Sequence, residues 1–202
     1  MRSSWTARWL PSVRAELPGA PTRWSPHGVV LEGGDPADVP AVREGRAGVQ
    51  DEGSQLVALA IAGADLEGPD DLWLDLCAGP GGKAALLAAI ASARSTSLLA
   101  AERQPHRAQL VRNALQGSPG VLGVVAADGT RPAWPAGAFD RVLVDAPCTG
   151  LGALRRRPES RWRRTPDDLA TLLPLQRALL AGALDSVRPG GLVLYATSSP
   201  VL

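Results

Sequence analysis

Lysine is almost absent from this 202-residue chain: Lys83 stands alone, so nearly all of the 21 basic residues are arginine. Arginine favours planar, forked contacts to phosphates and bases over point-charge contacts. Cysteine is nearly as scarce, with Cys77 and Cys148 only. Two cysteines rule out a disulfide scaffold, leave room for a single bridge, and make a reducing cytoplasm the default location. The two histidines, His27 and His106, lie far from any motif and receive no role; no metal centre is expected. No apolar run is long enough to span a bilayer. The first eight residues carry charge with no apolar core behind them, which makes a poor signal peptide. The net charge of +1 names no partner by itself.

What is present is enough chain for one domain with a sizeable core. Residues 1–48 are rich in Pro, Gly and Arg and weakly periodic, so they read as an irregular lead-in with short extended pieces, as at Gly28-Val29-Val30-Leu31-Glu32. Trp5, Trp9 and Trp24 in this segment are either staples that pin it to the core or part of an RNA surface, with staples the better reading. Residues 49–202 read as one α/β domain. Val49 to Ala64 reads as a helix with Leu56, Val57, Leu59, Ala60 and Ile61 on its apolar face. An α/β rhythm follows. Strands are expected at Asp71 to Leu76, Ser97 to Glu102, Val121 to Ala127, Arg141 to Asp145 and Leu192 to Ala196. Helices are expected at Lys83 to Ala93, Pro105 to Leu115 and Pro166 to Val187. Pro174 should kink or split the last helix, and Pro189-Gly190-Gly191 should stop it. Alternation of this kind implies a doubly wound, mostly parallel sheet with helices on both faces. The chain ends six residues after the fifth strand, which reads as a sheet lacking its last neighbour.

Two loops carry the chemistry. Asp75-Leu76-Cys77-Ala78-Gly79-Pro80-Gly81-Gly82-Lys83 joins the first core strand to its helix. Glycines there let backbone approach a ligand, and a helix N-terminus favours an anionic group. Glu102 ends the next strand, where an acid commonly holds ribose hydroxyls about twenty residues downstream. Asp128 ends the third strand and suits an adenine amino group or the pocket wall. Gly79, Gly81 and Gly82 do not match the Gly-x-Gly-x-x-Gly spacing, which argues against a nicotinamide enzyme. Lys83 opposes the helix dipole, so an acid or a negative ligand is expected beside it. The second loop, Asp145-Ala146-Pro147-Cys148-Thr149-Gly150-Leu151, follows a buried strand and offers an acid, a rigid proline and a thiol. That set suits covalent attack on an electron-poor ring. A methyltransferase acting on an exocyclic amine would carry an aromatic residue where Cys148 stands. For Cys77, packing is the better reading of the side chain. Arg155, Arg156, Arg157, Arg161, Arg163 and Arg164 crowd ten residues around Trp162, a pattern that suits stacking on RNA bases as well as a solvated surface.

These motifs together resemble the Nop/Sun (Sun/Fmu) family of RNA cytosine-C5 methyltransferases, most of all its bacterial 16S ribosomal RNA methyltransferase B branch. The likeness runs from about residue 45 onward. It includes Val49-Gln50-Asp51-Glu52-Gly53-Ser54-Gln55, Arg157-Pro158-Glu159-Ser160-Arg161-Trp162 and Leu175-Gln176. The resemblance implies S-adenosylmethionine as methyl donor, with Cys77, Ala78, Gly79, Pro80, Gly81, Gly82 and Lys83 on its methionine and ribose side, Glu102 on the ribose and Asp128 on the adenine. Asp145 would lie between donor and target base. It would stabilise charge at N3, a role that suits it if burial raises its pKa, which the sequence does not decide. RNA, ribosomal or transfer, is the implied partner, with the chain a monomer. The family's attacking thiol sits in Tyr-x-Thr-Cys-Ser, whereas this chain reads Tyr195-Ala196-Thr197-Ser198-Ser199. Three explanations stay open: activity despite Ser198, an inactive homologue that still binds donor and RNA, or attack by Cys148.

Overall fold

A computed structural model describes residues 3–7, 11–31, 33–154, 158–159, 162, 165 and 167–199. Its larger sheet is built from five strands: β5 (Leu72–Asp75), β6 (Ser97–Glu102), β7 (Val121–Ala126), β8 (Phe139–Asp145) and β9 (Val187–Ala196). They lie in the order β7-β6-β5-β8-β9 and every neighbouring pair is parallel. Helices α3 (Glu52–Gly63), α4 (Gly82–Ala93), α5 (Pro105–Leu115) and α6 (Asp167–Ser186) cover it. The central strands β5, β6 and β8 are largely buried on both faces, as in a parallel sheet covered by helices. Trp73, Leu98, Ala100 and Leu143 point into a core shared with Ile61, Leu87 and Val111. Leu74, Val142 and Val144 point the other way, onto Leu179 and Ala183 of α6. The expected doubly wound α/β sheet is the observed one. Its strand order reverses between β5 and β8, and open sheets of this kind hold ligands at that crevice.

One cation is buried in the sheet. Arg141, 3% exposed, forks onto Asp70 at 2.7 and 2.8 Å and donates to the carbonyls of Ile61 and Ala64 at 2.6 and 2.7 Å. It thereby closes the C-terminal end of α3, whose last carbonyls have no intrahelical partner.

Three local expectations fail. The lead-in is not irregular. β1 (Ser3–Ala7), α1 (Pro11–Glu16), β2 (Ala20–Pro21), β3 (Gly28–Leu31), α2 (Pro40–Arg43) and β4 (Ala47–Val49) form a second sheet. Its order β2-β3-β1-β4, all antiparallel, is that of the split βαββαβ arrangement. Val13, Leu17, Val29, Leu31, Val39 and Ala41 give it a core of its own. Strands of two to five residues are too short to show a period of two, which is why the pattern escapes a sequence reading. Pro174 does not split α6, which runs unbroken through it. The carbonyl that loses its partner belongs to Ala170, and both residues are exposed, so water satisfies it. Pro189-Gly190-Gly191 ends the helix but also lies inside β9. There Phe139 pairs Val187 and Arg141 pairs Leu192, so the extra residues bulge out of the ladder. Among the described residues no helix is long and apolar enough to cross a membrane.

Candidate active site

Both chemical loops leave the sheet at the switch point. β5 runs into Leu76 to Gly81, and β8 runs into Ala146 to Gly150. Leu76 N donates to Leu143 O at 2.9 Å and Ala146 N to Ala196 O at 2.9 Å, so both loops start as extensions of the ladder. Gly81, at φ +112, is the N-cap of α4; a Cβ there would come within 2.6 Å of the Ala114 Cβ. Gly79 has equally little room, because a Cβ would strike the Glu102 carboxylate. The two glycines let the loop pack flat between α5 and the end of β6.

Cys77, Gly79, Glu102, Asp128, Asp145 and Cys148 line one cavity of about 450 Å³. The glycine turn and the acid-proline-thiol loop therefore face each other. Glu102, 5% exposed, is fixed by Gly79 N at 3.1 Å and Gln104 N at 2.9 Å. Arg107 clamps the same turn, donating to Gly79 O at 2.6 Å and lying 3.7 Å from Glu102. Asp128 accepts from the N–H and the hydroxyl of Thr130 at 3.0 and 2.8 Å; these bonds, with Arg103 beyond them, hold its carboxyl below the usual range. Burial first, then the neighbouring acids, push the Cys77 thiol up to about 12, so it stays a protonated packing group. Both cysteines are free.

Lys83 finds the acid its position demands. Its Nζ lies 2.7 Å from Asp145 Oδ2 and 3.2 Å from Ser54 Oγ. Asp145 is a third exposed rather than buried, and the Lys83 ammonium sits against it. The buried acid is Asp75, 1% exposed, whose pKa rises from 3.8 to about 7 through burial and the charge of Asp145.

Asp145 also walls two neighbouring pockets. One, of about 300 Å³, holds Asp75, Ala78, Pro80, Gly82 and Lys83. The other, of about 390 Å³, holds Ser54, Lys83, Thr197, Ser198 and Ser199. Gly81 faces neither; it lines a cavity of about 430 Å³ against β4 and α5. Ser198 N donates to Cys148 Sγ at 3.3 Å, so the serine and the thiol sit at one junction. Gln176 steadies the loop by donating to Pro147 O at 2.8 Å. Arg107 lies in no motif, and Ser54 and Asp75, though inside quoted motifs, received no role there, because the part each plays depends on residues distant in sequence. Arg155, Arg156, Arg157, Arg161, Arg163 and Arg164 lie outside the described residues. Trp162 is described and 83% exposed.

A switch-point cavity with a glycine turn and acids at successive strand ends has the place and the lining that a nucleotide cofactor needs in a Rossmann-like sheet. The family model for the 16S rRNA methyltransferase RsmB/F matches residues 66–202, and the chain belongs to that family. A Mycobacterium tuberculosis protein named simply as a methyltransferase is 55% identical over 184 residues, covering 91% of this chain and 40% of that protein. Ribosomal RNA small subunit methyltransferase B of Vibrio cholerae is 36% identical over 169 residues, 81% of this chain and 38% of its own length. The chain thus spans about two fifths of these relatives. Among solved structures, PH0851 superposes with a TM-score of 0.87 at 27% identity, covering 98% of this chain and 47% of that one. NSun6 from Pyrococcus horikoshii, solved with the S-adenosylmethionine analogue SFG, gives 0.66 at 26% identity, covering 82% and 41%.

Proposed function

We propose that the chain methylates C5 of a cytosine in RNA, ribosomal RNA being the substrate class, through a covalent adduct formed by Cys148. One observation carries this reading. Asp145 is a wall common to the donor-sized cavity and to the pocket of Ser198, and the Cys148 thiol stands at their junction. The cavity fits the donor: its volume suits a nucleotide ligand, and Gly79 in its lining leaves room that a Cβ would fill. Cys77 to Lys83 would hold the methionine and ribose side, Glu102 the ribose and Asp128 the adenine. Bound there, the donor supplies a sulfonium methyl group.

The chain's own residues do the rest. C5 of cytosine is a weak nucleophile until a thiolate adds to C6. When Cys148 Sγ forms that bond, the C5–C6 π pair becomes enamine-like and charge develops toward N3. The Lys83–Asp145 pair at 2.7 Å offers a donor and an acceptor for that edge of the ring. After C5 gains the methyl group, loss of its proton and of the Cys148 thiolate restores the aromatic ring and frees the enzyme. The arginine stretch with exposed Trp162 would hold RNA phosphates and bases. The chain acts in this reading as a cytoplasmic monomer.

Ser198 supports a second reading, a homologue that binds donor and RNA without turnover. Its hydroxyl has no acid or histidine bonded to it among the described residues, and an unassisted serine is a poor nucleophile. The two are separated by incubating the protein with S-adenosylmethionine and 5-fluorocytosine RNA, where the fluorine blocks release. A covalent adduct is expected from the wild type and from Ser198→Ala, and none from Cys148→Ala. An adduct abolished by Ser198→Ala, or binding of both ligands with no adduct at all, would overturn the assignment of Cys148.

A further inference from the structure

The loop between β2 and β3 is more rigidly built than a surface turn requires. Thr22 N donates to Gly28 O at 3.0 Å, and the Thr22 hydroxyl to Ser25 O at 2.7 Å. Trp24 N and Ser25 N both donate to Glu52 Oε1, at 2.5 and 2.9 Å. The Ser25 hydroxyl bonds Gln55 Oε1 at 2.6 Å, and Arg14 reaches Pro26 O at 2.7 Å. Thr22, Ser25 and Gln55 are buried. The large side chain this turn presents is not buried. Trp24 is 64% exposed, with the Arg23 guanidinium stacked 4.6 Å from its ring. It is therefore not the staple its sequence position suggests. Fixing a turn so firmly while leaving its indole in water makes sense if the ring is meant for something else.

Its position narrows what that is. Glu52 and Gln55 belong to the first two turns of α3. On a neighbouring face of those turns, Asp51, Gly53, Ser54 and Val57 line the pocket of Ser198 and Asp145. The turn that carries Trp24 is thus tied, through Glu52, to the same stretch of α3 that lines this pocket.

We propose that Trp24, capped on one face by Arg23, is a stacking platform for an unpaired base beside the target nucleotide of a single-stranded RNA. This rests on the reading of the chain as an RNA methyltransferase and adds a contact on the α3 side of the pocket. An indole with a cation on one face keeps its other face open to a base, and guanidinium and indole planes both suit nucleic-acid stacking. Base edges are not read, so the platform tolerates any base.

The test measures the anisotropy of a short fluorescein-labelled single-stranded oligoribonucleotide carrying one cytosine, and the same oligonucleotide annealed to its complement. Trp24→Ala should weaken single-strand binding about ten-fold, Trp24→Leu nearly as much, and Trp24→Phe only a few-fold. Calorimetric S-adenosylmethionine affinity and the melting temperature should not move. Wild-type binding with Trp24→Ala indistinguishable from it overturns the platform and leaves the RNA reading intact. Failure of the wild type to bind either oligonucleotide overturns both. Equal loss on single strand and duplex, or a Trp24→Leu variant as tight as wild type, also overturns it, since the contact would then be charge or a generic apolar surface that suits a protein partner.

Discussion

Replacing Asp75 by asparagine should remove a large pH dependence from the stability of this protein. Asp75 ends β5 only 1% exposed, and among the described residues no side chain donates a hydrogen bond to either carboxylate oxygen. Burial first, then the negative charge of Asp145, raises its pKa from 3.8 to about 7; Lys83 and the Cys77 N–H oppose the rise without cancelling it. In the unfolded chain the group titrates at its ordinary value. Between those two values the native state holds a proton that the unfolded state has released, so stability falls as pH rises. The contribution is fully present below pH 3.8 and is lost by the time pH has climbed through about 7. At about 1.4 kcal/mol for each pKa unit, a rise of roughly three units is worth on the order of 4 kcal/mol. That is a sizeable share of a stability of about 5–15 kcal/mol. Asparagine keeps the shape and never ionises. Urea unfolding from pH 4 to 8 should show the variant and wild type level at the acid end. The variant should gain at the alkaline end, by about 2 M in midpoint for a slope of about 2 kcal/mol/M. A difference between the two proteins that stays flat across this range would refute the assignment of a buried, proton-holding acid.

Arg141→Met should cost about 3–5 kcal/mol, because Asp70 loses its forked partner and two α3 carbonyls lose their donor; calorimetric melting lowered by less than a few degrees would contradict this. Lys83→Met should leave the fold intact but cut 5-fluorocytosine adduct formation at least ten-fold, since Asp145 loses the cation 2.7 Å away; an unchanged rate on a denaturing gel would remove Lys83 from the chemistry. Glu102→Ala should weaken S-adenosylmethionine binding by about ten-fold or more, through the loss of a charged acceptor worth about 1.5–3 kcal/mol; calorimetry showing wild-type affinity would place the donor elsewhere. Iodoacetamide at pH 8 should label Cys148 and spare Cys77, whose thiol is pushed up to about 12; equal labelling by peptide mapping would contradict the raised pKa of Cys77.

Much of the larger sheet was legible in the chain because its signals are local. The apolar runs at Leu72–Asp75 and Phe139–Asp145, and the helix at Pro105–Leu115 with proline in its first turn, carry their own periods and stops. Lys83 at a helix start announced an acid nearby, and Asp145 is there. The β1–β4 sheet was not legible, since its core joins residues from Val13 to Ala47 through strands too short to show a pattern. Nor was the exchange of roles between two acids: both Asp75 and Asp145 end a strand, and only packing decides that one is sealed from water and the other meets Lys83. The sequence by itself determined the strands and helices of the larger sheet and which turns could admit a cofactor, because backbone freedom and hydrophobic period are properties of neighbours in the chain. Only the tertiary structure decided that Cys148 meets Ser198, that Glu102 grips Gly79 and that Trp24 is left in water, because burial and charge pairing depend on residues that folding alone brings together.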